Sequence, residues 1–231
     1  MYTNASNLLT YILDMSKDEG KVVLGRSHWD DQNIVSLNVV NPIWNHFYTV
    51  SPLVVIGTKE NDQYDLAPKH MAMAMGQENY FGFVCTPKHA TYHNAKRHGS
   101  FTVSFPKPDQ ITFASLAAAP RCEEVSYDKK IIDLLPTIKA PKVDALFLRG
   151  AYLYLECTLH HILDGFGQYS LLSGKIIGAH VDEKYLKIYD QDDQTMLMNA
   201  PLLGFLAYSR YSVIRETNDF PMPKDFTHIE E

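Results

Sequence analysis

One stretch of the chain, residues 52–105, constrains the fold more than any other. It opens with a continuous apolar run rich in β-branched residues, Leu53-Val54-Val55-Ile56, which Gly57 closes. Such a run favours a strand that is buried on both faces. The polar segment Lys59-Glu60-Asn61-Asp62 predicts a turn after it. We expect Asp65-Leu66-Ala67-Pro68 to form an irregular loop, because proline restricts the residue before it and donates no backbone hydrogen bond.

The second half of this stretch predicts a strand, a helix and another strand. The first strand runs from Tyr80 to Cys85. The helix begins at Thr86-Pro87, because threonine can cap free amides and proline suits the first helical turn. Gly99 is placed for a left-handed C-terminal cap, and Phe101 to Phe105 form the last strand. The stretch therefore offers a ligand one polar loop and one helix N-terminus.

The beginning of the predicted helix carries a cation, a hydroxyl and a carboxamide. Lys88, Thr91 and Asn94 are three residues apart, so they share one side of the first turns. Free amides and the positive end of the helix dipole lie beside them, an arrangement that suits a phosphate. The alternative is a capped helix with a solvated polar face, and the spacing by itself favours that alternative.

Composition and charge narrow the class of protein. Of 231 residues, 45% are hydrophobic and 21% are charged, as in folded globular proteins. The net charge is −6 and no stretch concentrates Lys and Arg, which argues against a nucleic-acid surface. The N-terminal segment lacks the features of a signal peptide, and no segment is apolar for long enough to span a bilayer. We therefore expect no membrane contact and a cytoplasmic location.

The remaining chain predicts mainly strands, with helices near the N-terminus and in the middle. Helices are expected at 4–15, 111–119 and 128–135, and strands at 21–24, 34–40, 151–162 and 168–181. Gly165-Phe166-Gly167 predicts the turn between the last two strands. Gly174 and Gly178 inside the second of these strands indicate bulges or tight curvature. An apolar, aromatic run follows at 201–213.

Motifs for metal binding or nucleophilic catalysis are weak or missing. His89 and His93 stand four apart on the predicted helix, but no third ligand is placed near them, so surface imidazoles are the favoured interpretation. His160 and His161 are expected on opposite faces of a strand. The cysteines, Cys85, Cys122 and Cys157, form no CxxC pair. GxSxG, GxGxxG and P-loop motifs are absent, so we assign no catalytic or metal residue and no built-in nicotinamide site.

The order of the motifs resembles the flavin reductase-like family, the FMN-binding split barrels that include flavoredoxins. The residues that carry the resemblance are PLVVIGT, DLAP, TPKHATYHNAKRHGSFTVSF, ECTLHHI, SGKIIGAHVD and PLLGFLAYSRY, between about residues 41 and 213. The resemblance implies a mainly β fold, a split β-barrel of antiparallel strands with a few peripheral helices. It also implies three regions: an N-terminal extension over 1–40, the barrel domain over 41–217 and a C-terminal tail over 218–231.

The resemblance also implies a cofactor site. The DLAP-like loop lies along the flavin ring in the family, and the Lys-x-x-Thr-x-x-Asn helix start lies near the phosphate. The candidate cofactor-binding residues are Asp65, Leu66, Ala67, Pro68, Lys69, Cys85, Thr86, Lys88, Thr91 and Asn94. The backbone amides of Leu66 and Ala67 would meet the pyrimidine side of the ring, and Lys69 would favour negative charge there.

The implied function is that of an FMN-binding oxidoreductase. FAD is a second candidate cofactor, and NAD(P)H is the expected transient reductant. The family implies a homodimer with the flavin near the subunit interface and a small-molecule or protein electron acceptor.

Where the family has a Gly-Asp-His-like turn, this chain has Gly165-Phe166-Gly167-Gln168, which leaves open whether His161 or Gln168 reaches the flavin. A flavin carrier without turnover and a barrel that has lost its cofactor are the alternatives. The segment 107–145 would cover the flavin pocket or a neighbouring subunit.

Overall fold

The computed structural model describes residues 24–26, 34–120, 129–187, 191–207 and 210–221. The N-terminal helix expected at 4–15, Cys122 and most of the predicted tail lie outside the described residues. The chain divides into two units, residues 1–49 with 206–209, and residues 50–205 with 210–231. The domain boundaries expected from the sequence, at 40/41 and 217/218, remain predictions.

The described part of the first unit contains one short antiparallel pair. Strand β1 (Leu24–Arg26) pairs with β2 (Val35–Leu37), with Leu24 opposite Leu37. Strand β2 is shorter than the stretch that the sequence predicted at 34–40. Of the stretch predicted at 21–24, residue 24 belongs to β1 and residues 21–23 lie outside the described residues.

In its described residues the second unit is mainly β, with three short α-helices. Its elements in chain order are β3 (Val50–Pro52), β4 (Val54–Glu60), β5 (Gln63–Lys69), β6 (Ala72–Ala74), β7 (Tyr80–Cys85), α1 (Ala90–His98), β8 (Ser100–Phe105), α2 (Ile111–Leu116), β9 (Thr137–Lys139), β10 (Leu146–Leu148), β11 (Leu153–Phe166), β12 (Tyr169–Val181), α3 (Asp193–Asn199), β13 (Leu202–Leu206) and β14 (Arg210–Ile214). Strands β5-β4-β8-β11-β12-β7-β6, in that order, form a curled antiparallel sheet. Smaller sheets contain β14-β13-β3 and β10-β9.

Strand β4 is buried on both faces, as the apolar run predicted. Val54 and Ile56 belong to one apolar cluster, with Phe83 and Phe101, and Val55 belongs to a second cluster, with Leu66. The predicted polar turn is tighter than expected. Glu60 pairs with Gln63, so only Asn61 and Asp62 form the turn, and Asn61 has a positive φ of 50°.

The expectation of an irregular loop at Asp65-Leu66-Ala67-Pro68 was wrong. These residues belong to β5, and Pro68 lies opposite Val55 of β4. The reason is the position of β5 at the edge of the sheet. An edge strand tolerates proline, because the missing amide faces away from its single partner strand.

Helix α1 begins later than predicted. Thr86 does not cap the helix; its Oγ1 accepts a hydrogen bond from the Lys88 amide at 3.3 Å, in a turn that precedes the helix. The N-cap residue is His89. The C-terminus is as predicted, because Gly99 adopts the left-handed conformation with φ 65° and its amide bonds to the Ala95 carbonyl.

Strands β11 and β12 form a long hairpin with irregular register. Bulges separate Glu156 from Cys157 and Leu159 from His161, and they lie opposite the segment that contains Gly174 and Gly178, as those glycines indicated. Phe166 pairs with Tyr169, so the tight turn consists of Gly167 and Gln168 rather than Gly165 to Gly167.

The helices of residues 107–145, the middle segment, are shorter than predicted. Helix α2 ends at Leu116, and the chain tightens before Pro120 through bonds from Ala118 to Ser115 and from Ala119 to Leu116. Pro120 disfavours the α conformation of the residue before it, Ala119, so the helix ends before that residue. Residues Lys130–Leu134 form a 3₁₀ helix instead of an α-helix. Within the described ranges no helix is long and apolar enough to cross a membrane.

Replacing Gly57 with Ala tests the close approach of β10 to β4. A methyl group at this position would overlap the Leu146 carbonyl oxygen and the Thr102 hydroxyl, which are hydrogen-bonded to each other at 2.6 Å. We expect the variant to lose about 2–4 kcal/mol of unfolding free energy, from overpacking and the lost bond. Urea denaturation measures it. Thr158→Ala, at an exposed position of β11, should change the free energy by less than about 0.5 kcal/mol; equal losses in both variants would contradict the packing argument.

Candidate flavin site

A cavity of about 430 Å³ lies between the beginning of α1 and the tip of the β11–β12 hairpin. Its lining residues are Thr86, Pro87, Lys88, Tyr92, Asp164, Gly165, Gly167, Gln168, Tyr169 and Ser170. Thr86 and Lys88 belong to the candidate set from the sequence. Gln168, whose role the sequence left open, also lines the cavity, and His161 is not among the described residues that line it.

The N-terminus of α1 is suited to an anion. The first turn contains no acidic residue, and the N-cap residue His89 makes no side-chain capping bond. Lys88 immediately before it is exposed. The amides at the start of a helix have no partner within the helix, so together with the helix dipole and the Lys88 ammonium they form a positive site.

A second cation lies at the end of β5. The positive charge of Lys69 acts on the thiol of Cys85. Burial raises the pKa of the Cys85 thiol, and Lys69 opposes that rise only in part, so the thiol stays protonated near neutral pH. Partial burial and then the Lys69 charge lower the pKa of His89, so its imidazole is neutral at the same pH. Cys85 is thus a small buried donor beside the site, and an unreactive one.

Asp65 lies inside the protein and pairs with Lys129. Asp65 Oδ1 is 3.2 Å from Lys129 Nζ, and the two side chains are only 3% and 7% exposed. Lys129 also donates to the carbonyl oxygens of Leu66 at 2.6 Å and Ala117 at 2.5 Å. A residue of the middle segment therefore supports the strand that carries half of the candidate residues, a role the sequence did not reveal.

Thr91 and Asn94 face the sheet. The Thr91 hydroxyl donates to Asp65 Oδ2 at 3.4 Å, and the Asn94 amide donates to Thr58 Oγ1 at 3.3 Å. Both side chains are almost fully buried. These bonds attach α1 to β4 and β5. The contacts of Thr91 and Asn94 with a phosphate remain a prediction, and in this arrangement the single proton of the Thr91 hydroxyl is directed at Asp65.

We expect the backbone of β5 to present one of the two predicted amides at its open edge. Adjacent residues of an edge strand point their amides in opposite directions. Pro68 has no amide, and the Leu66 carbonyl accepts a bond from Lys129, so we expect residues 66 and 68 to be directed away from β4. On that expectation the Leu66 amide, and not the Ala67 amide, is the one that a ligand at this edge can meet.

The sequence did not identify several side chains of the cavity, among them Asp164, Ser170 and Tyr92. Asp164 Oδ1 accepts hydrogen bonds from Ser170 Oγ at 2.5 Å and from the Tyr92 hydroxyl at 3.3 Å. Asp164 and Ser170 lie directly opposite each other in the hairpin. The predicted turn between the two strands was the signal that could have indicated that Asp164 and Ser170 are paired. The sequence placed that turn at residues 165–167, however, and the structure has it at 167–168.

The described histidines belong to no group of three or more candidate metal ligands. His89 is the N-cap residue of α1 and His93 lies within the helix. The expectation that His160 and His161 point in opposite directions was wrong. His160 occupies a bulge, which breaks the alternation of the strand, and the two ring centroids are 4.0 Å apart. Nowhere in the described ranges do three or more His, Cys, Asp or Glu side chains group as metal ligands.

The curled antiparallel sheet is a half-barrel, which defines the protein as a split-barrel protein. The model of the flavin reductase like domain matches residues 47–197, so the chain belongs to the flavin reductase-like family. This confirms the resemblance found in the sequence, and it places the protein among flavin-related oxidoreductases.

Solved structures share the fold at low sequence identity. The 2-nitrobenzoate 2-nitroreductase of Pseudomonas fluorescens is 16% identical, with a TM-score of 0.65 over 81% of this chain and 91% of that one. An FMN-binding protein from Thermus thermophilus with bound 1-cyclohex-2-enone is 18% identical, with a TM-score of 0.64 over 85% and 100%. A flavoredoxin from Methanosarcina acetivorans is 18% identical, with a TM-score of 0.58 over 88% and 97%. The split-barrel fold is therefore confirmed.

Replacing Lys129 with Met tests the support of β5. We expect a loss of about 3–5 kcal/mol of unfolding free energy, because the buried Asp65 carboxylate loses its ammonium partner. The double variant Asp65→Asn/Lys129→Met should lose less than the sum of the single variants. Chemical denaturation measures both.

Lys187→Met is the matched control for Lys129→Met. Lys187 pairs with Asp193 at 3.2 Å, but the two side chains are 69% and 58% exposed. The control should cost no more than about 1 kcal/mol. A cost for Lys129→Met as small as that of the control would show that the buried pair does not hold β5.

Proposed function

We propose that the protein binds FMN and acts as an oxidoreductase through it, with NAD(P)H as the transient reductant. The observation that carries the proposal is the positive site where the uncapped N-terminus of α1, Lys88 and the cavity meet. Membership of the flavin reductase-like family supports a flavin, and the structurally similar Thermus protein is an FMN-binding protein.

The residues fit a flavin with a terminal phosphate. Lys88 and the first amides of α1 would hold the phosphate, and Thr86 would shape the entry to the helix. The Leu66 amide, with Ala67, Pro68 and Lys69, would border the ring, and Asp65 and Cys85 would support that strand edge from inside. FAD would need the same positive site for its first phosphate, so it stays the second candidate.

Bound flavin would supply the hydride and electron chemistry. The residues of the protein would position the flavin and exclude competing reactions. Lys69 would place a positive charge beside the ring, and Cys85, held protonated by burial, would offer no competing nucleophile. No acid or base of the chain has to be assigned, in keeping with the absence of such a constellation in the sequence.

We favour a small conjugated molecule as electron acceptor over a protein partner. One similar structure is a 2-nitrobenzoate 2-nitroreductase, and another is an FMN-binding protein with bound 1-cyclohex-2-enone. Both compounds are small and conjugated. A flavoredoxin among the similar structures supports the alternative of electron transfer to a protein. We also propose a homodimer with the flavin near the interface, which light scattering of the flavin-loaded protein would test.

The first test is the absorption spectrum of the purified protein, followed by titration with FMN, FAD and riboflavin. Flavin bands or saturable binding of FMN are the expected result. Rapid mixing with NADH and NADPH under anaerobic conditions then shows which nucleotide bleaches the bound flavin. Binding without bleaching would leave a flavin carrier, and failure of all three flavins to bind would withdraw the oxidoreductase proposal.

Replacing Lys88 with Ala should weaken FMN binding by about 1–3 kcal/mol, because a charge-assisted contact with the phosphate is lost. Riboflavin lacks the phosphate, so its affinity should change much less. Lys175→Ala removes the same charge at an exposed position of β12 and is the control. Titration by flavin fluorescence measures all of these affinities. Equal FMN affinities in Lys88→Ala and the wild type would remove Lys88 from the site.

A further inference from the structure

We propose that Asp164 is a further binding residue of this site, which accepts hydrogen bonds from the hydroxyl groups of a polyol or sugar that carries a phosphate. The inference rests on the proposed function and deepens it. It assigns the recognition of hydroxyl groups to the hairpin residues of the cavity, which the positive helix start also lines.

The Asp164 carboxylate is held in a fixed orientation by two elements of the fold. Ser170 Oγ from β12 and the Tyr92 hydroxyl from α1 both donate to the same oxygen, Oδ1. Ser170 is 1% exposed and Tyr92 is 6% exposed, so both donors are fixed by the packing around them. Two buried donors on one oxygen orient the carboxylate more than a free surface aspartate would be oriented.

Asp164 lines the cavity, and its side chain is exposed. Within the part of the chain that the structure describes, no side chain or amide donates to its other carboxylate oxygen, Oδ2. A carboxylate oxygen accepts two hydrogen bonds in good geometry, and neighbouring hydroxyl groups are donors that match it. The site is thus an acceptor that is already oriented before a ligand arrives.

Tyr92 remains a donor over the whole range of physiological pH. Burial and then the neighbouring Asp164 carboxylate raise the pKa of the Tyr92 hydroxyl. The phenol therefore keeps its proton and directs it at Asp164. The side chains of Tyr92 and Ser170 act through Asp164, so we regard them as positioning residues.

The residues at the helix start would recognise a second feature of the ligand, its negative charge. Lys88 and Thr86 line the same cavity as Asp164, and Lys88 supplies a positive charge at the helix start. The volume of the cavity, about 430 Å³, lies in the range of small-molecule sites. A chain of hydroxyl groups that ends in a phosphate presents donors to Asp164 and an anion to Lys88.

Two ligands of the proposed reaction share this chemistry. One is FMN, whose ribityl chain carries hydroxyl groups and a phosphate. The other is the nicotinamide nucleotide, whose ribose carries a diol next to its diphosphate. The experiment separates these sources by measuring flavin affinity and nucleotide kinetics in the same variant.

The test uses Asp164→Asn, which keeps an oxygen for Ser170 and Tyr92 and removes the charge. If Asp164 holds the ribityl chain, the Kd for both FMN and riboflavin should rise about tenfold, with the KM for NAD(P)H unchanged. If Asp164 holds the ribose of the nucleotide, the KM for NAD(P)H should rise about tenfold, with both flavin affinities unchanged. Either result supports the proposal and names the source.

Asp144→Asn is the matched control. Asp144 also accepts a hydrogen bond from a tyrosine, Tyr64, at 2.7 Å, and it does not line the cavity. This variant should leave the Kd and KM values unchanged. Tyr92→Phe, which frees Asp164 from one donor, should reproduce part of the Asp164→Asn change in the same constant.

Two results would overturn the proposal. One is wild-type flavin affinity and wild-type KM in Asp164→Asn. The other is an equal loss for all ligands together with a fall in Tm relative to the wild type, because that pattern would mark a purely structural role. Failure of the proposed function gives a different outcome, since the wild-type protein would then bind no flavin at all.

Discussion

The rest of this structure depends on the burial of β4 on both faces. Its alternating side chains belong to two separate apolar clusters, one inside the curled sheet and one under the middle segment. Burial of apolar surface is the dominant favourable term in folding, so a strand that contributes to both clusters fixes its neighbours on each side. Gly57 lets β10 approach this strand closely, and β5 is left as the edge strand beside it.

The edge position of β5 then defines the chemistry of the proposed flavin site. An edge strand has one row of amides and carbonyls without a strand partner, and this row is where a flat ring can bind. Here the open edge is partly used by the protein itself, because Lys129 donates to the Leu66 carbonyl and pairs with Asp65. The middle segment is thereby attached to the strand that would border the ring, and changes in that segment should reach the site through Lys129.

The cavity joins two chemistries that lie far apart in the sequence. The start of α1 contributes a cation and free amides, and the hairpin contributes a carboxylate that Ser170 and Tyr92 orient. The helix that carries the proposed anion site was predicted from the sequence, because Pro87 marks its approximate start and Gly99 marks its end. The carboxylate half was not, because it requires the register of the β11–β12 hairpin and the packing of Tyr92 against it. The turn was predicted at residues 165–167, and the structure has it at 167–168.

The sequence by itself determined the family, the mainly β class, the buried strand at Val54 and the C-terminal cap at Gly99, because each depends on local pattern or on the order of motifs. Only the tertiary structure decided that the DLAP segment is a strand, that Thr91 and Asn94 bond to the sheet, and that His160 and His161 lie together. The physical reason is the same in each case. A proline is tolerated at an edge, a polar side chain takes the partner that burial offers it, and a bulge changes the direction of side chains, and none of these is settled until the strands have paired.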